Sequence, residues 1–176
     1  MNRIFLIGFM AAGKSTLGKR MAEYLHWDFI DLDSYIENKA QLSIPSLFDS
    51  QGEEGFRILE WRCLHEVAEN EPCVISTGGG TPCFSDNLEF MKSVGLTVFL
   101  DVPEEELLKR LESDRGERPM LYRHENRQSS GENTLPSRAH HLFVERLPYY
   151  QKADFIFHPD QDSLSAFFDG LPLARR

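Results

Sequence analysis

Gly8-Phe9-Met10-Ala11-Ala12-Gly13-Lys14-Ser15-Thr16 follows the apolar run Ile4-Phe5-Leu6-Ile7 and leads into a stretch of helical periodicity. Two glycines separated by four residues, with Lys-Ser directly after the second, have the spacing of a phosphate-binding loop, and the flanking strand and helix supply its context. Each part has a physical task. The glycines let the backbone wrap close to a polyphosphate, and the loop N–H groups and the following helix N-terminus face the anion. Lys14 adds a point charge, and the Ser15 hydroxyl is of the right kind to ligate Mg²⁺. These features point to a bound nucleoside triphosphate and away from a chance Gly/Ala turn.

Outward from this loop, strand-like runs at 3–7, 28–31, 73–76, 97–101 and 154–157 alternate with helical patterns at 14–25, 34–41, 53–69, 87–94, 103–112, 137–152 and 162–170. Such alternation predicts a three-layer α/β fold, with helices on both faces of a parallel sheet. Leu17, Met21 with Ala22, and Leu25 form the apolar stripe of a helix packed on that sheet. Pro103 followed by Glu104, Glu105 and Glu106 suits a helix start. Residues 121–135 are polar, turn-rich and aperiodic, and a loop of that length in a compact domain reads as a mobile lid.

The chain has 176 residues and a formal charge of −9. That length suits a single domain spanning 1–176, and the acidity excludes a nucleic-acid partner held by many Lys/Arg–phosphate contacts. Cys63, Cys73 and Cys83 contain no C-x-x-C pair, so neither a disulfide framework nor a zinc site is indicated. With no signal-peptide core and no apolar run of membrane length, a cytoplasmic protein without a membrane partner is expected.

Several constellations carry chemistry. The second strand ends Asp31-Leu32-Asp33, and carboxylates at i and i+2 share one side while the chain stays extended. The strand at 73–76 runs into Ser-Thr-Gly-Gly-Gly with no carboxylate, so a metal's acid must come from elsewhere. Asp31 suits that shell, through a water, and leaves Asp33 to take a proton from an acceptor hydroxyl. The alternative is that Asp33 or Ser34 caps the next helix. Arg57 and Glu60 stand three apart on one helix face, fitting either a braced carboxylate clamp or an ordinary surface ion pair. Gly78-Gly79-Gly80 follows a buried strand and lets backbone approach a ligand. Arg118-Pro119 opens the aperiodic stretch, where an arginine can swing onto a γ-phosphate as the site closes, though a solvated helix-end arginine is the commoner case. Arg146-Leu147-Pro148 lies beyond it and by itself says little.

Taken together and in order, Gly8 to Thr16, Asp31-x-Asp33, Phe56-Arg57-x-x-Glu60, Gly78-Gly79-Gly80, Arg118-Pro119 and Arg146-x-Pro148 resemble the shikimate kinase pattern, a branch of the nucleoside-monophosphate-kinase-like P-loop proteins. The resemblance implies a five-stranded parallel sheet of order 2-3-1-4-5, with a mobile lid at about 112–136. It implies phosphorylation of the 3-hydroxyl of shikimate by ATP, giving shikimate 3-phosphate and ADP on the route to aromatic amino acids, with Mg²⁺ as cofactor. By this likeness Gly8, Ala11, Ala12, Gly13, Lys14, Ser15 and Thr16 line ATP together with Arg118 from the lid, and Arg110 stacks near adenine. Lys14, Asp33 and Arg118 are the catalytic set; Ser15 and, through water, Asp31 hold the metal. Asp33, Arg57, Glu60, Gly79, Gly80 and Arg146 bind shikimate, with the two arginines gripping its carboxylate. A monomer is expected, with ATP and shikimate as its partners. Two features depart from the pattern: Ala11 stands where glycine is common, and the segment between Arg118 and Arg146 is longer than usual by on the order of ten residues. Competing classes are a gluconate or nucleotide kinase of the same fold, and a nucleotide-binding module without phosphotransfer.

Overall fold

The computed structural model describes residues 2–113 and 134–171. Five parallel strands lie in the order β2-β3-β1-β4-β5: β1 is Arg3–Ile7, β2 Asp28–Asp31, β3 Cys73–Ser76, β4 Leu96–Leu100 and β5 Phe155–Phe157. Around them run α1 (Lys14–Leu25), α2 (Leu32–Ala40), α3 (Ile44–Val67), α4 (Asn87–Val94), α5 (Glu104–Ser113), α6 (Leu135–Tyr150) and α7 (Leu164–Asp169). The class and strand order are as expected. The three central strands are buried almost throughout because helices cover both faces, whereas the edge strands β2 and β5 are partly exposed. Leu17, Met21 and Ala22 of α1 are buried, as the stripe predicts. Fully burying each large apolar side chain contributes roughly 1.5–3 kcal/mol.

Register brings the strand ends together. Leu6 pairs with Ser76 and Val98, and Asp31 pairs with Ser76, so the chain segments leaving β1, β2 and β3 emerge at one carboxyl edge. That edge is where open α/β sheets bind ligands.

Two elements differ from the sequence expectation. α3 begins at Ile44, well before 53, because Ser43 caps it by accepting from the Ser46 N–H and Pro45 opens its first turn. Gly52, at φ 72° and ψ −179°, breaks the backbone where the sequence reading starts the helix. α2 also starts early, at Leu32, so Asp31-Leu32-Asp33 is not an extended segment. The helix cap is neither Asp33 nor Ser34: Asp31 accepts from the Ser34 N–H at 3.1 Å. The expected lid at about 112–136, with Arg118, falls largely on residues outside those described. Among the described residues, no helix is long and apolar enough to cross a membrane. All three cysteines are free: Cys63 and Cys73 are buried, Cys83 half-buried, and burial pushes the thiols of Cys73 and Cys83 up to about 11.

Candidate active site

The phosphate loop is built from backbone turned against its ordinary preference. Gly13, at φ 95°, sits directly before α1 and turns the loop into the helix, a geometry that favours glycine. Ala11, at φ 61°, also lies in the left-handed region, which carries a steric cost of roughly 1 kcal/mol for a residue with a Cβ. The departure seen in the sequence is therefore a strained position. Lys14 is 8% exposed and its Nζ donates to the carbonyls of Gly8 and Phe9, both at 2.9 Å, spanning the loop it serves.

Beside it, Ser15 Oγ donates to Asp31 Oδ2 at 2.5 Å and lies 3.3 Å from Ser76 Oγ. A carboxylate and two hydroxyls converge here, so the missing acid at the end of β3 is replaced by a serine. Magnesium takes hard oxygen ligands and keeps several waters, and this donor set fits it. The same cavity, of about 410 Å³, is lined by Lys14, Ser15, Asp31, Asp33, Thr77 and Gly79 among others. Asp33 thus shares one cleft with the phosphate loop.

Asp33 has an unusual carboxyl. Burial raises its pKa from 3.8 to about 6, helped by the negative charges of Glu60, Asp31 and Glu37 and opposed by Lys14. A carboxylate poised near neutrality is suited to accepting a proton. It is packed against the glycine turn: a Cβ on Gly78 would lie 2.9 Å from Asp33 Oδ1, 3.0 Å from Thr81 Oγ1 and 3.2 Å from Glu60 Oε1.

Arg57 and Glu60 are not a solvated pair. Glu60 is 1% exposed; its Oε2 accepts from Arg57 Nη1 at 2.7 Å and its Oε1 from Thr81 Oγ1 at 2.7 Å. The Arg57 guanidinium lies 3.8 Å from the Phe84 ring centroid, while Glu53 stands 3.6 Å from Nη2. Its Nε is buried with no hydrogen-bond partner. A Cβ on Gly80 would meet Arg57 Nη2 at 2.6 Å, and one on Gly79 would lie 3.5 Å from Arg146 Nη1 and 3.2 Å from the Met10 N. The glycine turn thus admits both guanidinium groups close to its backbone. Arg146 is 4% exposed on α6, far more buried than an isolated arginine in the sequence suggested.

Arg110 of α5 donates from Nη1 to the carbonyls of Ala11 and Ala12 at 3.3 and 3.2 Å, while Glu106 holds its Nε at 3.0 Å. It borders a second cavity of about 410 Å³ with Ala12, Thr16, Arg20, Pro159 and Asp162, behind the phosphate loop. Four contributors escaped the sequence reading. Ser76 and Thr81 lie on either side of the glycine triple and carried no motif of their own, Phe84 offered no signal, and Tyr150 follows Arg146-Leu147-Pro148 by two residues without a signal of its own.

A phosphate loop, a half-buried acid of raised pKa, and one half-buried and one buried arginine at one sheet edge define a P-loop phosphotransferase acting on a small anionic acceptor. Comparison with known proteins names the group. A family model described as shikimate kinase matches residues 10–170, and the chain belongs to the shikimate kinase family. The shikimate kinase of Bacteroides thetaiotaomicron is 47% identical over 161 residues, which are 92% of this chain and 89% of that protein. A crystal structure of shikimate kinase from the same organism superposes with a TM-score of 0.77 at 43% identity, covering 93% of this chain and 92% of that one. The Acinetobacter baumannii shikimate kinase in complex with shikimate gives a TM-score of 0.80 at 32% identity, covering 96% and 89%. A deoxyadenosine kinase from M. mycoides, at 12% identity and a TM-score of 0.57 over 95% of this chain and 97% of that one, shares the fold alone.

Proposed function

We propose that the protein transfers the γ-phosphoryl group of ATP to the 3-hydroxyl of shikimate, giving shikimate 3-phosphate and ADP in aromatic amino acid biosynthesis. One observation carries the assignment of roles: Asp33 opens into the phosphate-loop cavity, while Arg57 and Arg146 reach the same glycine turn from opposite elements. Arg57 and Arg146 grip the acceptor carboxylate, with Glu60 bracing the first, and Gly79 and Gly80 pass beneath the ring. This fixes one hydroxyl toward Asp33, which takes its proton as the new oxygen–phosphorus bond forms and the bond to the ADP oxygen breaks. Lys14 leaves the loop carbonyls for the transferring phosphate, adding positive charge where negative charge spreads.

Ser15 and, through a water, Asp31 would hold Mg²⁺, which would supply charge neutralisation for the triphosphate. Arg110 and the Pro159 loop flank the adenine, and Arg118 closes from the segment outside the described residues. A monomer working in the cytoplasm completes this reading. A coupled ADP-release assay compares shikimate with quinate, gluconate and nucleoside monophosphates. Turnover confined to shikimate is expected, and preferential turnover of gluconate or a nucleotide would overturn the assignment. ATP binding with no ADP release in the presence of shikimate would instead mark a nucleotide-binding module.

A further inference from the structure

Tyr150 heads the large side chains that are fully buried among the described residues. A phenol in a core requires a partner for its hydroxyl. Tyr150 donates to the Gly79 carbonyl at 2.6 Å, joining the end of α6 to the glycine turn across 71 residues of sequence. One helical turn earlier, on the same face of α6, stands Arg146. Its guanidinium is a charged neighbour of the phenol, and its Nη1 lies 3.5 Å from where a Cβ on Gly79 would be. Ring, carbonyl and guanidinium therefore close on one another. Phe99 of β4 stacks on the ring at 5.4 Å and fixes it from the sheet side. Gly79 in turn abuts the phosphate loop, 3.2 Å separating the Met10 N from that same Cβ position.

We propose that Tyr150 is a positioning residue for acceptor binding: its hydroxyl pins the Gly79 carbonyl to α6 and so sets the angle at which Arg146 meets the acceptor carboxylate. The inference rests on Arg146 being one of the two carboxylate grips. Arginine is rich in rotamers, and a fork that must meet a planar carboxylate in one orientation needs fixed walls. Gly79 supplies one wall without a side chain. Tyr150 keeps that wall at a constant distance.

Tyr150→Phe keeps the ring and the Phe99 stack and removes only the donor. We expect the KM for shikimate to rise about tenfold, the scale set by leaving a buried carbonyl unpaired, while the KM for ATP stays within about twofold. The decisive measurement is a double-mutant cycle with Arg146→Ala. A residue acting through Arg146 costs nothing further once Arg146 is gone, so the double variant should match Arg146→Ala alone. Additive losses, or a lower Tm with both KM values unchanged, would overturn the proposal and leave Tyr150 a packing residue. An unchanged shikimate KM in Arg146→Ala would instead reject the grip itself, a separate failure. Tyr150→Met, a second deletion of the hydroxyl with a flexible filler, carries the same expectations if the phenylalanine variant does not fold.

Discussion

The phosphate side and the acceptor side of the cleft are built in opposite ways. Nearly everything that would hold the triphosphate comes from one stretch, 8–16, and much of it is backbone; the acceptor side is assembled from α2, α3, the glycine turn and α6, and most of it is charged side chain out of water. Backbone donors need only a loop bent into shape. Buried ions need partners on every exposed valence, since an uncompensated charge in the interior is costly. Hence the phosphate side stores its cost as strain at Ala11, and the acceptor side stores it in an ionic lattice of Arg57, Glu60 and Thr81 with Asp33 beside it. The lesson is that the two halves should fail differently when damaged.

The most severe break is expected on the phosphate side. Lys14→Ala should lower kcat/KM by about 10³-fold or more whichever substrate is varied, because the point charge serves the transferring group itself. A loss confined to the shikimate KM would contradict that. Next comes Asp33→Asn, which should reduce kcat by about 10²–10⁴-fold with ATP affinity retained, as measured by nucleotide titration.

Asp33 also links activity to stability. Its folded pKa of about 6 lies above the ordinary 3.8, so the folded state keeps a proton the unfolded chain has released. The stabilisation is complete below about pH 4, fades as pH rises to about 6 and is gone above it. Without ligands, Asp33→Asn should therefore unfold later than the parent at pH 7.5, by about 3 kcal/mol in denaturant melts, with the gap closing toward pH 4. Equal midpoints at both pH values would show that the carboxyl is not penalised by its surroundings.

On the acceptor side, Gly80→Ala drives a methyl into Arg57 Nη2, 2.6 Å from the Cβ position. The shikimate KM should rise about 10- to 100-fold with the ATP KM little changed, read from steady-state kinetics over both substrates. The smallest effect belongs to the strained loop. Ala11→Gly should leave kcat within a few-fold and raise stability by up to about 1 kcal/mol, because relief at φ 61° is partly offset by the freer unfolded glycine. A destabilised Ala11→Gly would show that the methyl packs well enough to outweigh its backbone.

The same contrast explains what could be read in advance. The alternating strands and helices and the loop follow from contiguous patterns, apolar runs and a spacing whose physics is local, whereas the strand order follows only from the family resemblance. The first half of α3 was written in Ser43 and Pro45 but was overlooked because Gly52 interrupts the periodicity. Asp31 as cap could not be told from Asp33 or Ser34, since all three residue types cap well and only the backbone decides. Arg57–Glu60 was ambiguous for a different reason: i, i+3 spacing describes exposed and buried pairs alike, and burial of Glu60 depends on Thr81, 21 residues later. Arg146 and Tyr150 were opaque because their meaning lies in Gly79, which is brought to them only by tertiary packing.

The sheltered thiols have a practical consequence for experiments in solution. Cys63 and Cys73 are buried, and Cys83, half-buried, keeps its thiol protonated near neutral pH, since thiolate is what alkylating reagents attack. A cysteine introduced on an exposed helix face would therefore outcompete the native ones for maleimide at pH 7. The wild-type background can then carry a fluorophore or spin label at a chosen surface position, and distances across the cleft become measurable during turnover without first stripping out the natural sulfurs.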